Sequence, residues 1–413
     1  MRKKKKIWLQ LVLKYNMENW KEYSLQEVTT RIGDGLHGTP VYDDNGSYYF
    51  INGSNLLNGK VVINENTKRV STEQYEKHKK ELSDRTVLLG INGTIGNVAL
   101  YQNEKCILGK SAAYLNVKED FDKLFLKYVL LNPHFQNFIQ VNATGTTIKN
   151  VGLGLLRSYK FLAPESKTEQ QKIASILSSL DDKIELNNQM NQTLEQIAQA
   201  IFKEWFVEFN FPGFDGNLVD GLPKGWRKES IDKNINYLNG LALQKYPVED
   251  GEDYLPVIKI RELLQGVTSA TDKANFSVPE NYIIKNGDIL FSWSGSLDIA
   301  IWNYGTGALN QHLFKVSSNT YPKWFYYFWT KHFLPIYRNI AASKATTMGH
   351  IQRRHLTESL INVPDEKILK KADEVIKPLF DRLLNNAVQC SDLAEIRNNL
   401  LSKLLNGNIK PTL

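Results

Sequence analysis

Three short stretches of the chain come close to catalytic motifs, and each lacks a part that its chemistry needs. Asn132-Pro133-His134-Phe135 is near the Asn-Pro-Pro-Tyr/Phe motif of amino-methyltransferases, but the second proline is absent and the stretch ends an expected helix over 121–131. No glycine-rich loop suited to S-adenosylmethionine follows a strand. Gly109-Lys110-Ser111 has the look of a P-loop end, yet Glu104 stands where the first glycine belongs. Pro364-Asp365-Glu366-Lys367 contains the residues of a nuclease Pro-Asp…Glu-x-Lys core. That core spreads its carboxylates along a hairpin, whereas here the run reads as a helix start with acids at the N-terminal dipole. The seven His show no metal-ligand spacing, and no Ser, Cys or carboxylate constellation stands out. The expectation is a chain with no catalytic residue, no metal ligand and no cofactor of its own, hence not an enzyme by itself.

Binding chemistry is better represented. One group of loop residues comprises His37, Thr39, Asn52, Asn92, Thr94, Thr146, Thr147 and Lys149. A second comprises Gln244, Lys245, Lys259, Arg261, Ser292, Trp293, Ser294, Thr346, Thr347, His350, Gln352, Arg353 and Arg354. Hydroxyls, cations and backbone N–H groups grip phosphates and set register. Asn and Gln suit adenine edges, and Arg or Lys suits guanine. Glycines such as Gly38, Gly93 and Gly349 let the backbone approach closely. Any one of these loops could be a plain turn; their pairing across an internal repeat favours a nucleic-acid ligand.

That repeat positions them. Its period is about 200 residues: Leu88-Leu89-Gly90-Ile91 through Tyr101 aligns with Ile289-Leu290-Phe291-Ser292 through Trp302. Thr146-Thr147-Ile148 and Phe161-Leu162-Ala163-Pro164 align with Thr346-Thr347-Met348 and Ile361-Asn362-Val363-Pro364. Each block alternates apolar β-branched runs with Gly, Asn and Asp turns, which predicts a mostly-β globule with a few helices.

A different pattern follows each block. Ile173, Leu177, Leu180, Ile184, Leu194 and Ile201 fall on three-four spacing, the mark of a helix with one apolar seam. The second copy carries Ile376, Leu379, Leu383, Leu393 and Leu400. Asn187 and Asn386 occupy the same seam position, where a lone polar residue disfavours slipped registers. About 40 residues of helix would reach about 60 Å, although Pro378 is expected to kink the second. The fold class expected is α+β: two similar globules, each followed by a long helix, the helices packed as an antiparallel coiled coil with pseudo-two-fold symmetry.

Composition bounds the reading. The chain has 413 residues, 42% hydrophobic and 23% charged, which excludes a disordered chain and allows two to four compact units. Two cysteines are too few for a disulfide framework, so a reducing, cytoplasmic setting is expected. No apolar run nears the ~18 residues needed to span a bilayer, so no membrane partner is expected. The net charge of +7 is concentrated: residues 1–16 carry six cations and no anion, and the segment 165–209 is acidic.

The most specific stretch runs from Thr168-Glu169-Gln170-Gln171-Lys172-Ile173-Ala174 through Leu180-Asp181-Asp182-Lys183-Ile184 to Leu194-Glu195-Gln196-Ile197-Ala198-Gln199-Ala200-Ile201-Phe202. It resembles the first conserved helical region of the specificity subunit of type I restriction–modification systems (HsdS-like). Leu222-Pro223-Lys224-Gly225-Trp226 resembles the opening of a target-recognition domain in that family. The resemblance spans nearly the whole chain from Trp20. It implies target-recognition domains over 17–164 and 222–363, spacer helices over 165–209 and 364–406, a linker over 210–221 and a tail over 407–413; the basic tail over 1–16 is a departure from the family pattern. It also implies that each domain reads half of a split, asymmetric DNA site, while the helices set the spacing and dock two methyltransferase subunits. Those partners would bring S-adenosylmethionine, and restriction subunits would bring ATP and Mg²⁺. The other readings in view are a free-standing methyltransferase or nuclease, and a coiled-coil scaffold that binds no DNA.

Overall fold

The run Thr86–Gly90 is buried at every position, the pattern of a strand covered on both faces. It pairs antiparallel with Val98–Leu100 on one side and Ala112–Val117 on the other, and Thr29–Asp34 completes the sheet beyond the latter. Ile289–Ser292, likewise buried throughout, repeats this. It lies between Ile299–Ile301 and Leu313–Ser317, with Asn236–Asn239 outermost. The structure, a computed structural model, describes residues 19–145, 149–249, 251–268, 270–343 and 349–409.

Beside each four-stranded sheet is a second one built on a parallel pair. Tyr48–Ile51 runs parallel to Cys106–Leu108, as Val257 and Ile258 run parallel to Ala308 and Leu309. The second copy adds Ile283–Ile284 to this sheet. Each globule is closed by its own ends: Trp20–Ser24 pairs antiparallel with Lys160–Pro164, and Arg227–Ser230 with Leu360–Val363. These clasps sit immediately before the two long helices, Lys167–Phe206 and Glu366–Leu405, each of 40 residues.

The chain forms two compact units. One comprises the described residues up to Asp182 together with those from Glu395, and the other comprises Lys183–Ala394. Each long helix therefore contributes one stretch to each unit.

In the first unit Ile173, Ala174 and Leu177 of one helix share a core with Leu401, Leu404 and Leu405 of the other. Three polar groups meet on the Asp181 carboxylate. Lys127 Nζ lies 3.1 Å away, Tyr128 donates its hydroxyl at 2.7 Å, and Arg397 donates at 2.7 Å. In the second unit Ala198, Phe202, Phe206, Ala372, Ile376 and Phe380 enter a core dominated by aromatic rings. Phe206 lies 5.3–5.8 Å, centroid to centroid, from Phe202, Trp226, Trp324 and Phe325. One carboxylate, Glu195, accepts from Tyr327 and Lys331 there. The helical stretches in this unit run antiparallel: Ile184 and Asn188 meet Cys390, Asn187 donates to Gln389 at 2.8 Å, and Met190 meets Arg382.

The seam residues lie on the inward face. Ile173, Leu177, Asn187, Ile376, Leu383 and Asn386 are buried, while Leu180, Ile184, Leu194, Ile201, Leu379, Leu393 and Leu400 are half-buried. The second helix runs on unbroken through Pro378, over Glu366–Leu405: both Pro378 and Glu374, whose carbonyl loses its N–H partner, are exposed, so water can serve that carbonyl. Asn132-Pro133 starts a helix as well as ending one. The Asn132 side chain accepts from the His134 N–H at 2.9 Å, and Pro133 opens the helix Pro133–Asn142 at a position where a missing donor costs nothing. Cys106 and Cys390 are both buried and free, and burial raises both thiols, Cys106 to about 12. Among the described residues no helix is long and apolar enough to cross a membrane.

Candidate nucleic-acid interface

In each unit the turn after the central strand meets a segment nearly sixty residues further on. In the first, Asn92 bridges to Asn150, the Gly93 N–H donates to the Lys149 carbonyl at 3.4 Å, and the Val151 N–H donates to the Ile91 carbonyl at 2.8 Å. In the second, Ser294 bridges to His350, Gly295 donates to Gly349 at 2.8 Å, and Ile351 donates to Trp293 at 2.9 Å. The backbone frame is the same and the side chains differ. Gly93 and Gly295 sit at φ +71° and +63°, the left-handed region that glycine enters without strain.

Around the first frame the structure gathers Asn92, Thr94 and Lys149, with Thr94 and Lys149 exposed. The Thr94 hydroxyl lies against Gly53, where a Cβ would meet it at 2.5 Å. Asn52 belongs to this side but its carbonyl is committed, accepting from the Ser111 hydroxyl at 2.9 Å. Ser111 in turn accepts from the Gly53 N–H at 2.9 Å. The motif-like Gly109-Lys110-Ser111 thus props a loop, and Gly109 is required because a Cβ would come within 2.2 Å of Asn52 Oδ1. His37 and Thr39 are exposed in the adjoining loop, where Leu36 bridges to Gly109 and His37 pairs with Asp34 at 2.6 Å.

The second unit divides its candidates between two places. Trp293, Ser294, His350, Gln352 and Arg353 surround the frame. The Trp293 indole donates to Asn239 at 3.0 Å and its ring lies 5.9 Å from His312 and 6.2 Å from His350. Arg353 donates to the Tyr237 carbonyl at 2.8 Å and stacks over Phe314 at 5.4 Å. Ser292 is fully buried and spends its hydroxyl within its own turn, donating to Ser296 at 2.7 Å and accepting from Asp298. It cannot meet a ligand at the surface. The other group lines a shallow groove beside Leu255–Ile258, formed by Gln244, Lys259, Thr271, Asp272, Lys273 and Asn310, with Lys245 next in chain. Lys259 of this groove pairs with Asp272, and Arg261, two residues on in the chain, donates to Glu262 at 2.9 and 2.6 Å. A hydrogen bond from Lys259 and its charge hold the Asp272 carboxyl below its ordinary value. Lys149, Lys245 and Arg354 are exposed and carry no ion pair among the described residues.

Thr146, Thr147, Thr346 and Thr347 lie outside the described residues. The sequence does not single out Asn150 and His312 as individual contacts; their pairing with Asn92 and Ser294, distant in the same chain, has no local signal. Among the described residues no cluster of three His, Cys, Asp or Glu could hold a metal ion.

Comparison with known proteins agrees with this duplicated plan. Residues 17–196 and 223–390 each match the family described as type I restriction modification DNA specificity domain. The MjaIX type I restriction enzyme specificity subunit of Methanocaldococcus jannaschii is 27% identical over 81% of this chain and 81% of its own length. The HindI specificity subunit of Haemophilus influenzae is 25% identical over 95% of this chain and all of its own. A type I restriction–modification S subunit from M. genitalium shares the fold with TM-score 0.56 at 18% identity, over 95% and 98% of the two chains.

Proposed function

Because this chain belongs to the type I restriction–modification DNA specificity family, we propose that it selects the duplex sequence on which a multisubunit methyltransferase and restriction enzyme acts. Each globule reads one half of a two-part site. The observation that carries this is the repeated junction: one backbone frame, two side-chain sets, Asn92 and Asn150 in one and Ser294 and His350 in the other. Two different half-sites need that combination of common scaffold and private chemistry.

Exposed Lys149, Lys245 and Arg354 supply phosphate grip, and base edges fall to the amide, hydroxyl and aromatic groups around the frames. The other predicted contacts, His37, Thr39, Thr94, Gln244 and Gln352, are exposed on the same loops and add polar contacts. The continuous 40-residue helices contribute to both units, so their length sets the number of base pairs between half-sites. Their remaining exposed faces dock two methyltransferase subunits, which bring S-adenosylmethionine, and restriction subunits bring ATP and Mg²⁺. The chain itself holds no cofactor and makes no bonds.

The test is to assemble the full chain with the methyltransferase subunits of its own system and map methylated bases by long-read sequencing. The expected result is one two-part motif with a fixed spacer. Methylation without such a motif, or methylation by this chain alone, overturns the proposal.

A further inference from the structure

The junction in the first unit carries an amide pair with unspent valences. Asn92 Nδ2 donates to Asn150 Oδ1 at 3.3 Å, which ties the two side chains together. Among the described residues no group binds Asn92 Oδ1 or Asn150 Nδ2, and both residues are partly exposed. The tie therefore leaves Asn92 Oδ1 as an acceptor and Asn150 Nδ2 as a donor, on two partly exposed residues joined by one bridge. Beside them, a Cβ built on Gly93 meets no atom within 4 Å, so a planar edge can come up to the turn.

An adenine shows a donor, N6–H₂, next to an acceptor, N7, in the major groove; a guanine shows two acceptors there. An acceptor and a donor presented from one bridge complement the first and leave a repulsive pair against the second. We infer that the Asn92–Asn150 pair reads an adenine in the half-site of the first unit; this rests on the function proposed above. The second unit carries different groups at the equivalent place. Ser294 is buried with its hydroxyl 3.0 Å from His312 Nδ1, and His350 is an imidazole. The two half-sites are thereby made unlike at matching positions.

The experiment selects duplexes from a randomised library with the full chain in its methyltransferase complex, comparing wild type with Asn92→Ala and Asn150→Ala. The expected result is a loss of about tenfold in preference at a single adenine, the same one for both variants, with the other half-site unchanged. Retention of that other half-site marks a variant as folded, and Asn92→Ser and Asn150→Ser replace any alanine variant that loses it. An unchanged consensus, relaxation at a guanine or pyrimidine, or relaxation of both half-sites by the serine variants too overturns the inference alone. Absence of any two-part consensus from the wild type overturns it together with the function.

Discussion

The two units join reader to helix by different physics. In the first, Tyr128 and Lys127 of the reader and Arg397 of the last helix converge on Asp181, so the joint is ionic and hydrogen-bonded. In the second, Tyr327, about 200 residues on, also meets a carboxylate, Glu195, but the joint around it is a cluster of Phe202, Phe206, Trp226, Trp324 and Phe325. One topology accepts both solutions. An apolar joint gains its strength from area removed from water, whereas a buried ionic joint roughly balances desolvation against attraction and becomes costly only when a partner is removed.

The largest effect that would break this contrast comes from Phe206→Ala. Phe206 is fully buried among rings, so its truncation costs about 4 kcal/mol and loosens the helix Lys323–Ser343 first. Urea unfolding combined with hydrogen exchange over that helix checks it. Asp181→Ala is next, at about 3 kcal/mol, because Lys127 is left buried without a partner. Replacing Lys127 and Asp181 together by Met and Leu costs less than about 1 kcal/mol, measured in the same titration.

Acid sharpens the same contrast. Burial alone would raise the Asp181 carboxyl, but Arg397, Lys127 and Tyr128 together hold it below its ordinary value. Its folded value is thus depressed, so its stabilisation is complete above the unfolded value of about 3.9 and fades as pH falls below that through the folded value. The deficit of Asp181→Ala relative to wild type shrinks accordingly between pH 6 and pH 3.

The smallest change is Asn187→Leu, which raises stability by about 1 kcal/mol by removing a buried carbonyl that has no partner. Loss of the Gln389 bond also admits slipped helix pairing, visible as faster hydrogen exchange along both helices.

Much of the architecture could be read from spacing. The repeat, the mostly-β blocks and the inward seam from Ile173 to Ile201 follow from periods that a single sequence displays. What escaped depended on partners distant in sequence. Nothing local says that Lys127 faces Asp181 and Arg397, or that the aromatic run from Trp324 to Trp329 is buried against Phe202 and Phe206. That the helix continues past Pro378 has no local signal either, because helix rules count a lost donor without knowing which carbonyl faces water. At the interface, Asn92 was legible as a loop amide, while its tie to Asn150 was not; Ser292 resembled its exposed neighbours in type and differs only in burial.

One feature of the core has a practical side. Cys106 and Cys390 are the only cysteines in the sequence, both are shielded, and burial raises both thiols away from the reactive thiolate. The native protein is therefore a quiet background for thiol labelling. A fluorophore pair attached through single cysteines introduced at exposed loop positions, one in each unit, would report the span between the two readers as DNA is engaged.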